Sequence, residues 1–200
     1  MKWQERNKTI LIWHLTIAIF SLALIQCGKH SDIENTLNRM KSESIVIDLH
    51  DYKVWHEPKN SVSRYKHQVF PTYLMYVDSV HCSPCKLSNL PCLDDYRKEV
   101  ETKFGHLNFL VIYEPSSSDS LCLNDFVDTS SFSIPVYKDI NHVFRQRNKH
   151  IPDEDYYHDF LLDKNGQIKV VGSPIVSKKI EKVFMHTLNS LSEDKQSNVH

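Results

Sequence analysis

The stretch TYLMYVDSVHCSPCKLSNLPCL, residues 72–93, constrains this chain more than any other. Its first part, TYLMYVDS (72–79), is rich in aromatic and branched side chains and ends in polar ones, a buried-strand pattern. Cys82 and Cys85 follow, two residues apart. A helix begins on them: Ser83 suits an N-cap, and Pro84 fits the first helical position, where its missing N–H costs nothing. Leu87, Leu90, Leu93, Val100 and Phe104 recur near helical spacing over 83–104, and Pro91 is expected to kink that helix.

A cysteine pair at the start of a helix has a physical reason to react. Unpaired backbone N–H groups and the positive end of the helix dipole favour thiolate over thiol there. Cys82 is expected to be the more exposed sulfur and the nucleophile; Cys85, in the first turn, resolves the mixed disulfide. Pro84 stiffens the turn. Lys86 adds positive charge or points to water. His81 supplies a proton or a positive charge to Cys82, or is a surface histidine.

Whether the pair can persist as a disulfide depends on the compartment. Lys2, Arg6 and Lys8 precede the apolar run TILIWHLTIAIFSLALIQ (9–26), and Cys27 and a polar stretch follow. That is the layout of an export signal. LIQC (24–27) resembles the lipobox of bacterial lipoproteins, although Gln26 stands where a small residue is usual. The resemblance implies residues 1–27 as signal peptide and lipidation at Cys27. An uncleaved anchor is the rival reading; it is short for a bilayer, with His14 as a cost. Either reading, like plain secretion, puts the folded part outside the cytosol, where disulfides persist. The expected location is the cell envelope.

Residues 28–42 read as a flexible polar tether, 43–191 as the folded domain, and 192–200 as a disordered tail. Cys82, Cys85, Cys92 and Cys122 belong to that domain; Cys92 and Cys122 either pair or serve as small core residues. With 24 Lys+Arg against 25 Asp+Glu the chain has no strong field, which argues against nucleic acid as a partner.

Elsewhere the pattern alternates strands and helices. SIVIDL (44–49) reads as a first strand and 51–68 as a loop or ragged hairpin. HLNFLVIYEP (106–115) and SIPVYKD (133–139) read as strands, with a loop and short helix over 116–128 and another short helical piece over 140–149. Residues 157–175 form a hairpin whose Asn165-Gly166 predicts a type I′ turn. A closing helix spans 177–191. This is an α/β order with a parallel half and an antiparallel half.

These residues resemble a known family. HCSPCK (81–86) is similar to the WCxPCK of thioredoxins, and HDFLLDKNGQIKVVGSPI (158–175) resembles the matching run of TlpA/ResA-type thiol-disulfide proteins. Together with the lipobox, the chain looks most like the thioredoxin-like lipoproteins of the Bacteroidetes. The resemblance implies a thioredoxin-like fold, a central mixed sheet flanked by helices. It also implies a membrane-tethered thiol-disulfide oxidoreductase that reduces client disulfides through Cys82 and Cys85, with no cofactor. The implied partners are a client protein with disulfide or thiols, a membrane electron donor, and the membrane through the lipid anchor.

Three departures stand out. His81 replaces the tryptophan usual before the first cysteine. Tyr76 occupies the place of the family's buried acid, with Asp78 nearby but displaced, so a base for Cys85 is unassigned. Tyr157 falls where the family has a cis-proline facing the cysteines; a cis bond is too costly there without proline. Two alternatives remain open: a non-catalytic binding module, and a copper or zinc site using Cys82, Cys85 and His81.

Overall fold

The computed structural model describes residues 13, 32–57, 70–116, 119, 123, 126–127 and 131–197. Cys27, Cys122 and most of the expected signal lie outside them. Two compact units divide the chain, Met1–Arg39 and Met40–His200; the sheet and the cysteine pair belong to the second.

The sheet has six strands: β1 (Lys53–His56), β2 (Thr72–Val77), β3 (Asn108–Tyr113), β4 (Val136–Lys138), β5 (Asp159–Leu162) and β6 (Ile168–Val171). Their spatial order is β1-β4-β3-β2-β5-β6. β2, β3 and β4 run parallel, whereas β5 and β6 return antiparallel beside β2. Every residue of β2, β3 and β5 is buried, so these read as continuous apolar runs with no alternation. The helices are α1 (Ser83–Leu87), α2 (Leu90–Phe104), α3 (Val143–Arg147) and α4 (Lys178–Ser197). Leu87, Leu90, Leu93 and Val100 of α1 and α2 join Phe184 and Leu188 of α4 in one core with Tyr73, Phe109 and Val111 of the sheet. Strand, cysteine pair, helix, parallel strand, antiparallel hairpin and closing helix make this a thioredoxin-like fold, as expected.

Five local expectations change. SIVIDL forms no strand. Ser44 bridges Gln167 and Ile45 N–H donates to the Gly166 carbonyl, but Val46 then pairs with the side-chain amide of buried Asn148 in both directions (2.8 and 3.1 Å). A side chain stands in for the next strand, so no ladder can extend. The outer strand is instead β1, drawn from the polar stretch read as loop; at an edge it needs no alternation, and its residues are exposed or half-buried.

The helix expected over 83–104 is two helices separated by Ser88 and Asn89. Pro91 has no N–H to donate back into α1, so it begins α2 and does not bend a continuous helix. The hairpin turn is not type I′: Gly166 alone takes the left-handed region (φ 79°), and Asn165 does not. Asp163 holds the turn, its carboxylate accepting from Asn165 N–H and Gln167 N–H (2.8 and 3.0 Å). Residues 32–41, expected to be tether, are helical, and Met40 is fully buried. The closing helix continues through Ser197, into the stretch read as tail.

Candidate functional site

Parallel β2, β3 and β4 and antiparallel β5 bring four acids to one end of the sheet. Asp78 follows β2, Glu114 follows β3, Asp139 follows β4 and Asp159 opens β5; all four are buried. The cysteine pair leaves the sheet at this end.

Asp78 shapes the approach to the pair. Its Oδ1 accepts from the backbone N–H of Val80 (3.1 Å) and of His81 (2.8 Å). His81 Nδ1 stands 2.8 Å from Oδ2, and Ser83 Oγ donates to the Asp78 carbonyl (3.3 Å). The chain therefore turns around one carboxylate before Cys82. Burial works to raise the Asp78 pKa, but hydrogen bonds from His158 and His81 outweigh it and hold the carboxyl well below the usual range.

Cys82 caps α1, its carbonyl accepting from Cys85 N–H (3.1 Å) and Lys86 N–H (3.3 Å). Cys82 and Cys85 are joined as a disulfide, with Cα atoms 5.3 Å apart, inside the range such bonds need. Cys82, Pro84 and Cys85 are all exposed residues. The positive helix end also belongs to one short turn and not to a long helix.

Lys86 does not point to water. Its ammonium donates to the Asp155 carbonyl (3.0 Å) and the Tyr76 carbonyl (3.3 Å) and lies 3.8 Å from Asp159 Oδ2. Tyr73 Oη donates to the other oxygen of Asp159 (2.5 Å). Burial pushes the Asp159 carboxyl up, against the lowering pull of Lys86 and Tyr73. Asp159, on β5 beside β2, is thus a buried acid held between Lys86 and Tyr73.

Tyr157 is buried in a single 3-10 turn, Asp155–Tyr157, before β5. Its ring lies 4.4 Å from that of Tyr156, and its N–H donates to the Glu154 carbonyl (3.0 Å). No peptide bond is cis among the described residues. The structure brings this turn to the cysteine loop through its neighbours: Asp155 meets Lys86, and His158 meets Asp78. His158 is completely buried, with Nδ1 3.2 Å from Asp78 Oδ2 and Nε2 2.9 Å from the Pro152 carbonyl oxygen.

Beside these, Glu114 accepts from Tyr76 Oη and Ser79 Oγ, and His142 Nδ1 lies 2.7 Å from it. Burial opposes its ionisation, and those hydrogen bonds more than offset that, leaving the Glu114 carboxyl below its ordinary range. His142 takes φ 55°, an uncommon backbone state for a non-glycine residue.

Sequence reasoning identified Cys82, Cys85, His81, Pro84 and Lys86, which the structure gathers on one loop and helix. It missed His158, Asp159 and Glu114. The available signal was local: His158 and Asp159 are polar residues at the entry to an otherwise apolar strand, HDFLL. Cys92 is exposed on α2 and forms no disulfide among the described residues; Cys122 is not one of them. No group of three His, Cys, Asp or Glu is placed to hold a metal among the described residues.

Neither a family model nor a curated protein matches the chain. Similar solved structures include the pneumococcal exposed lipoprotein thioredoxin Etrx1 of Streptococcus pneumoniae, 20% identical over 62% of this chain and 87% of that one, TM-score 0.43. An uncharacterized thioredoxin-like protein of Porphyromonas gingivalis is 16% identical over 62% and 77%, TM-score 0.41. The N-terminal domain of PilB from Neisseria gonorrhoeae is 17% identical over 62% and 80%, TM-score 0.40. A thioredoxin-like fold carrying a bonded CxxC pair is the class that the chain's own strand order and site define.

Proposed function

We propose that this chain is an exported, membrane-tethered thiol-disulfide oxidoreductase that reduces client disulfides. The observation that carries the reading is the Cys82–Cys85 disulfide, exposed at the carboxyl end of β2 and at the start of α1. A pair so placed can be reached by another protein's sulfur without unfolding. Cys82 attacks, Cys85 resolves, and a dithiol donor at the membrane returns the pair to its reduced form. Lys86 ties the helix carrying Cys85 to the buried acid Asp159, which supports a role for that pair in taking the Cys85 proton. Tethering rests on the signal-like N-terminus and on Cys27, the lipidation candidate.

The test is a redox titration of the chain in glutathione buffers, paired with turnover of a protein disulfide. A two-electron transition lost in Cys82→Ser is the expected result. Turnover that is unchanged in Cys82→Ser would remove the enzymatic reading. Radiolabelled palmitate incorporation, absent in Cys27→Ala, tests the anchor.

A further inference from the structure

Asp78, His81 and His158 form a cluster that exchange between two cysteines does not by itself require. We propose that His81 is the proton-transfer group for exchange at Cys82, with Asp78 and His158 as positioning residues that fix which ring nitrogen it offers. The inference rests on the reading of the pair as redox-active.

The geometry carries it. His81 directly precedes Cys82, and its side chain is 38% exposed, so its ring is open to solvent beside the residue that carries the attacking sulfur. Its Nδ1 lies 2.8 Å from a carboxylate oxygen, an arrangement that places the N–H on Nδ1. Nε2 is then the nitrogen free to take and give a proton. Backbone bonds from Val80 and His81 keep the Asp78 carboxylate facing this ring. His158 reaches the same carboxylate oxygen: its Nδ1 is 3.2 Å from Asp78 Oδ2, its ring is 6.3 Å from that of His81, and it is buried. The charged and titratable groups around the cluster are Cys82 beside His81, Asp159 beside His158, and Tyr76, whose ring is 5.2 Å from His158.

The step balances as follows. Cys82 thiol gives its proton to His81 Nε2. The thiolate attacks one client sulfur, the Cys82–client bond forms and the client S–S bond breaks. The departing thiolate takes the proton from His81. Cys85 then attacks the Cys82 sulfur: the Cys82–Cys85 bond forms, the Cys82–client bond breaks, and the client sulfur that was held by Cys82 leaves with the Cys85 proton. The protein pair ends oxidised and the client ends as a dithiol.

Two small disulfides test this, each reacted stoichiometrically with the reduced chain in a Cys92→Ser background. One releases an aryl thiolate, which is stable without a proton; the other releases an alkyl thiolate, which is not. His81→Gln is expected to slow the alkyl reaction by about a hundredfold, the size of a lost general acid, and to slow the aryl reaction much less, because both reactions need the Cys82 proton removed but only the alkyl thiolate needs a proton delivered. Asp78→Asn should act in the same direction with a smaller effect. Equal slowing of both reactions, or of neither, overturns the inference, since a structural role would not distinguish leaving groups. If Cys82→Ser reacts with both disulfides like its parent, the redox reading itself fails and the inference falls with it.

Discussion

Asp78 and His158 meet at 3.2 Å across the end of the sheet, one leaving β2 and the other entering β5. The contact joins the loop before Cys82 to the turn that carries Tyr157. Asp78 is ionised more readily in the fold than free, so its contribution to stability is present above the ordinary aspartate pKa of about 3.9 and fades as pH falls below it. Asp78→Asn is expected to cost about 2 kcal/mol at neutral pH, because it weakens the hydrogen bonds that the buried carboxylate accepts from the Val80 and His81 backbone N–H groups and from the His81 ring. Urea denaturation of both proteins should show that gap narrowing as the pH is taken below 4.

Asp159 has the opposite sign. Its carboxyl is raised by burial, so the folded state holds a proton that the unfolded chain releases, and stability falls as pH rises from about 4 towards the folded pKa. Asp159→Asn keeps an acceptor for Tyr73 and removes the buried charge. The variant should match the parent near pH 4 and exceed it at neutral pH by about 1 kcal/mol, measured by thermal unfolding across that range. Resolution by Cys85 should slow in the same variant, seen as longer-lived mixed disulfide in quenched-flow gels.

The two cysteines should separate in a trapping experiment. Cys85→Ser is expected to accumulate a covalent adduct through Cys82 with a disulfide-bearing protein, and Cys82→Ser to accumulate none through Cys85. Because both cysteines are exposed residues, adducts of equal yield would show that the pair has no fixed order of attack.

Restoring a proline at position 157 should not restore a familiar loop. Tyr157 N–H donates to the Glu154 carbonyl, and its side chain is buried. Tyr157→Pro removes both the donor and the ring, with an expected loss of about 3 kcal/mol in chemical denaturation. An unchanged midpoint would mean that the 3-10 turn is not needed to hold the entry to β5.

Gly166 gives the hairpin its own test. Its φ is 79°, and an added Cβ would lie 2.8 Å from the Ile45 carbonyl oxygen. Gly166→Ala is expected to destabilise by about 1–2 kcal/mol through strain and that contact, read as a lower midpoint of thermal unfolding.

The sequence by itself determined the strand–CxxC–helix unit, the parallel and antiparallel halves, and the hairpin with its closing helix. These depend on local patterns: apolar runs over 72–77 and 108–113, Pro84 at the start of a helix, and Asn165-Gly166 at a turn. Position along the chain also named Cys82, Cys85, His81 and Lys86. Only the tertiary structure decided what those residues face. Lys86 turns inward because the β2 carbonyl of Tyr76 and the carboxylate of Asp159 lie within its reach, and Asp159 is 73 positions away in the sequence, 159 less 86. His158 joins Asp78 because β5 runs antiparallel beside β2, which places the start of one strand against the end of the other. SIVIDL lost its strand to the side chain of Asn148 for the same kind of reason. A periodic pattern reports which face of an element is buried; it carries no information on which distant polar group will satisfy it.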